Sequence, residues 1–113
     1  MTSHGSAHGR YSRAIAAKNL PGAERAAREL GGLSLVDALD SVALVAELRP
    51  DRLEPAALRW HGRLELESQT LTIAESQLAL AALASLRTGA ADALPLLKRL
   101  LRRARPTLLG PIR

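Results

Sequence analysis

Apolar residues recur along this chain at helical spacing, with no stretch of strict alternation that would favour a strand. Leu20, Ala23, Ala27 and Leu30 share one face of a helix, and the pairs Glu24–Arg28 and Arg25–Glu29 lie on the other. Leu53, Ala57, Trp60 and Leu64 line a second stripe, which places Trp60 in a core and His61 at its boundary. Residues 35–48 are apolar round most of the circumference, with Asp37, Asp40 and Glu47 on a narrow polar edge. Residues 73–86 are Ala and Leu almost all round, the pattern expected of the most buried element.

Breakers and caps divide the pattern into six predicted helices. The first spans Arg10 to Lys18, and Asn19-Leu20-Pro21-Gly22 turns the chain into a second, Pro21 to Leu30, which Gly31-Gly32 ends. Ser34-Leu-Val-Asp37 has the form of a capping box and opens a third, Leu35 to Leu48. Arg49-Pro50-Asp51 breaks the chain before a fourth, which runs to Glu67 and carries Pro55 in its first turn. A second box, Thr72-Ile-Ala-Glu75, opens the fifth, to Leu86, and Gly89 closes it. The sixth spans Asp92 to Arg105. An offset of 38 residues aligns Leu33–Asp37 with Leu71–Glu75, which fits a helical repeat and equally fits two unrelated helices with good caps. The expected architecture is all-α, stacked antiparallel helical hairpins, with a disordered lead over 1–9, one helical domain over 10–105 and an irregular tail over 106–113.

Composition sharpens this. The chain has 23 Leu and 21 Ala against three Val, three Ile and no Phe, so strong helix formers dominate and strand formers are scarce. At Ala56-Ala-Leu-Arg-Trp-His61 and over Leu71–Leu83 the sequence resembles small uncharacterised all-helical proteins of high-GC bacteria. The resemblance covers roughly residues 11–104; it implies the same fold class and carries no activity. The surplus of Arg over Lys, 14 to 2, agrees with such a genome.

The absence of Cys excludes disulfides and thiolate metal sites. The first ten residues lack the apolar region of a secretory signal, and the longest apolar stretch, Leu78 to Leu86, is shorter than the about 20 residues of a membrane span. A cytoplasmic protein is expected. The formal charge of +5 concentrates in residues 94–113, which hold six bases and no acid.

Candidate chemistry is sparse. His61 and Glu65, one turn apart, are the material for an enzyme or metal sensor, but they lack a third partner in sequence, and Leu58 stands where a Glu-x-x-His site needs its acid. Thr2, Ser3 and His4 would form a nitrogen set for Cu(II) or Ni(II) if Met1 were removed. Residues 22–45 have the outline of a degenerate helix-turn-helix, the basis for a DNA-binding regulator. Gly32 lengthens the turn, however, and Asp37, Asp40 and Glu47 would face phosphate. The clearest feature is the basic amphipathic sixth helix, with Lys98, Arg102 and Arg105 on one strip and Arg99 and Arg103 beside it. With Leu108 and Ile112 of the tail, these residues are the expected partner-binding surface of a non-enzymatic adaptor or regulatory module that binds a protein and needs no cofactor.

Overall fold

A computed structural model describes residues 6–104. It contains six helices: α1 (Ala7–Ala16), α2 (Leu20–Leu30), α3 (Leu35–Leu48), α4 (Leu53–Glu67), α5 (Ile73–Ser85) and α6 (Ala93–Ala104). Short 3-10 turns precede α4 (Pro50–Arg52) and follow α5 (Leu86–Thr88). The described residues include no strand and no helix long and apolar enough to cross a membrane.

Consecutive helices pair as three hairpins: α1 with α2, α3 with α4, and α5 with α6. Packing of α4 on α5 and of α3 on α6 closes the last four helices around a common core, and the α1–α2 hairpin leans on α3. That core contains Leu35, Leu39, Trp60, Leu64, Leu83 and Leu97. Tyr11, Ala14, Ala23 and Ala26 form a smaller cluster between α1 and α2. The buried Tyr11 hydroxyl ties α1 to α3, donating to the Asp37 carbonyl oxygen and sharing a 2.7 Å hydrogen bond with Ser41. Burial raises its pKa above the usual tyrosine value.

The helix ends follow local chemistry. Gly31, at φ 78°, closes α2 in the left-handed conformation, and the Gly32 N–H returns to the Ala27 carbonyl oxygen in a Schellman arrangement. Thr72 and Glu75 form a reciprocal capping box at α5. The box expected at α3 is only half made: Ser34 accepts from the Asp37 N–H, but the Asp37 carboxylate turns to His8 Nε2 at 3.1 Å. The first helix begins three residues earlier than expected because Ser6 caps it, accepting from the Gly9 N–H. It also ends earlier, at Ala16, and Lys18 adopts a left-handed φ of 56° in the turn.

The main departure concerns burial. α3, not α5, is the most enclosed helix, with Leu35, Leu39, Val42, Leu44, Val45 and Ala46 all buried. Only Ala79, Ala82 and Leu83 are buried on α5. α3 packs against α1, α2, α4 and α6, whereas among the helices α5 packs chiefly against α4 and α6, so much of its apolar circumference has no neighbour among the described residues.

Candidate functional site

The basic strip of α6 is divided by its position between two neighbouring helices. At about 100° per residue, Lys98 and Arg103 fall at the two edges of the exposed arc, with Arg102 and Arg99 between them. Lys98 reaches across to Asp40 of α3 at 3.2 Å. Arg103 pairs with Glu75 of α5 at 2.5 Å and donates to the Thr70 carbonyl oxygen at 3.0 Å. The edge cations therefore fasten α6 to its neighbours. Arg99 and Arg102 are exposed and make no ion pair among the described residues. Arg105, Leu108 and Ile112 lie outside the described residues, as do Thr2, Ser3 and His4.

Glu75 shows the electrostatic consequence. The Thr72 backbone N–H, and after it the Arg103 guanidinium, hold its carboxyl below the usual glutamate range.

Beside the free arginines lies a surface that the sequence did not suggest. The outward arc of α5 carries Ile73, Gln77, Leu78, Leu80, Ala81 and Ala84, and no charged residue. Ile73 is 80% exposed and Leu80 39%. A shallow groove runs along each side of this ridge. One, of about 440 Å³, separates α5 from α6 and is lined by Leu78, Ala81, Pro95, Leu96 and Arg99. The other, of about 230 Å³, separates α5 from α4 and is lined by Leu58, Leu80, Ala84, Glu54 and Arg87.

The His61 pair gains a third member across the α4–α5 turn. His61 is buried, against expectation, and its Nε2 lies 2.9 Å from the Ser76 hydroxyl and 3.1 Å from the Ser76 carbonyl oxygen. A carbonyl only accepts, so Nε2 carries the proton and donates to both oxygens. The Ser76 hydroxyl in turn donates to Glu65 at 2.6 Å. A serine nucleophile needs the reverse polarity, an unprotonated imidazole nitrogen facing the hydroxyl. In this arrangement the trio acts as a latch between α4 and α5. Among the described residues, no group of three or more His, Cys, Asp or Glu residues could hold a metal ion.

On α3, the second helix of the helix-turn-helix outline, the less buried strip contains Val36, Asp40, Ala43 and Glu47. This strip offers carboxylates and apolar groups where a DNA-reading helix needs amides or guanidinium groups. A further groove, of about 470 Å³, lies between α2, α3 and α4, with Arg52, Arg59 and Arg63 among its lining. Two of these arginines are engaged: Arg52 with Glu24 and Arg63 with Glu67, each at 2.8 Å.

No protein-family model matches the chain, and no curated protein or solved structure shows significant similarity to it.

Proposed function

We propose that this chain is a non-enzymatic interaction module that binds a protein partner through the outward face of α6 and the apolar face of α5 beside it. One observation carries this reading: Arg99 and Arg102 stand exposed, without an ion pair among the described residues, next to a helix face that bears no charge. Arginine beside apolar surface is the composition of many binding hot spots, because its planar guanidinium forms directional hydrogen bonds while its stem packs. An unpaired guanidinium also has no internal partner to surrender on binding.

The test is comparative capture from native host extract by the full chain and by its Arg99→Gln/Arg102→Gln variant, after nuclease treatment. Gln is a good helix former, so the fold should survive and circular dichroism should confirm it. A protein retained by the parent and lost by the variant supports the reading. Capture that is the same for both removes these residues from any interface. Capture that disappears with nuclease, and whose salt dependence falls by about 0.9 in log–log slope for each phosphate contact removed, indicates DNA instead.

A further inference from the structure

The α5 face poses the question of what covers it, and its surroundings favour one occupant. At the α1–α2 hairpin the exposed surface is mainly polar: Arg25 and Arg28 are turned outward, and Leu30 is its only large exposed apolar side chain among the described residues. Head-to-tail stacking would set an uncharged ridge against these cations, and nothing in that contact would limit growth to a closed assembly. A face without charge can instead meet its own copy with no like-charge penalty.

The flanks of the face carry opposite charges at matching heights. On the α4 flank, near the start of α5, stands Glu65; on the α6 flank at the same level stands Arg102. At the other end of α5, Arg87 lies by the α4 groove and Asp92 by the α6 groove. Rotation by a half-turn about an axis along α5 brings each α4 flank over the partner's α6 flank. Glu65 then meets Arg102 of the other copy, and Arg87 meets Asp92.

The available area is also sufficient. A 13-residue α5 is about 20 Å long, and three adjacent helices span about 30 Å, so each copy offers roughly 600 Å². Two copies would bury about 1,200 Å², the lower edge of stable specific interfaces.

We infer that the partner for this surface is a second copy of the same chain, joined as a two-fold dimer by parallel packing of the two α5 ridges. This rests on the reading of the α5–α6 face as a protein-binding surface and names its occupant.

Sedimentation or light scattering of the full chain across a wide dilution series tests it. The expected result is twice the chain mass at high concentration, falling to one chain mass for Ala81→Glu, which places a charge mid-ridge at an exposed position; circular dichroism checks that this variant remains helical. Arg87→Glu and Asp92→Arg should each weaken the dimer about tenfold or more, and the double exchange should restore it. A parent that stays monomeric throughout, or a dimer indifferent to Ala81→Glu, overturns the inference. A double exchange that fails to recover what both singles lost overturns the parallel two-fold arrangement. If the parent is monomeric while captured protein still depends on Arg99 and Arg102, the interaction reading survives and only its occupant changes. If neither mass nor capture responds to any of these substitutions, the binding surface itself is refuted.

Discussion

The indole N–H of Trp60 donates to the carbonyl oxygen of Leu35 at 2.9 Å, joining the middle of α4 to the first turn of α3 inside the core. Trp60→Phe keeps an aromatic ring there but removes the donor and part of the buried volume. Urea unfolding should show a loss of about 1–3 kcal/mol, combining one net hydrogen bond with a partly filled cavity. A loss below about half a kilocalorie, typical of surface substitutions, would contradict the buried placement.

Two leucines on α5 should respond differently. Leu83 is 1% exposed and belongs to the core, so Leu83→Ala should cost about 2–5 kcal/mol. Leu80→Ala, at a position 39% exposed, should cost less than about 1 kcal/mol when the chain is measured at high dilution. Equal losses at both positions would mean that α5 is covered on both sides within one chain.

Lys18 occupies the left-handed region, a conformation that costs a non-glycine residue about 1 kcal/mol or more. Its ammonium pairs with Glu47 at 2.6 Å, but both side chains are largely exposed, and such pairs contribute little. Lys18→Gly should therefore raise stability by about half to one kcal/mol, read as a higher melting temperature. A fall would show that the ion pair outweighs the relief of backbone strain.

Stability should depend on Glu75 on the acid side. Its folded pKa is lowered, so the stabilisation it gives is fully present above the ordinary glutamate value of about 4.3 and is lost as pH falls through the folded value. Glu75→Gln should flatten that part of the melting profile and leave the neutral-to-alkaline side unchanged in shape. An unaltered acid slope in the variant would mean that the Thr72 and Arg103 contacts do not hold the carboxylate.

How much of this was legible in the sequence depends on the range of the interaction. α3 was placed to the residue from Ser34 and its apolar pattern, and Gly31 and the box at Thr72 marked their helix ends, because a cap or a left-handed glycine acts within a few residues of itself. The basic face of α6 was legible for the same reason. Which of its cations remain free was not: Asp40 and Glu75, which engage Lys98 and Arg103, lie 58 and 28 residues away in the chain. His61 lies off the apolar stripe of α4 and so reads as a boundary residue; Ser76, which satisfies its ring nitrogen, comes from the next helix and leaves no mark at that position.

The ranking of α3 and α5 shows the division most clearly. Apolar circumference sets how much surface a helix would gain by burying, and both helices have plenty. How much each does bury depends on the number of neighbours that the topology supplies. α3 packs against four other helices, while α5 stands at the edge between two and keeps Leu80 and Ile73 in solvent. Local sequence encodes the helix and its stripe, but the partners that cover the stripe come from distant parts of the fold, so only tertiary packing decides which apolar face is core and which is left as surface.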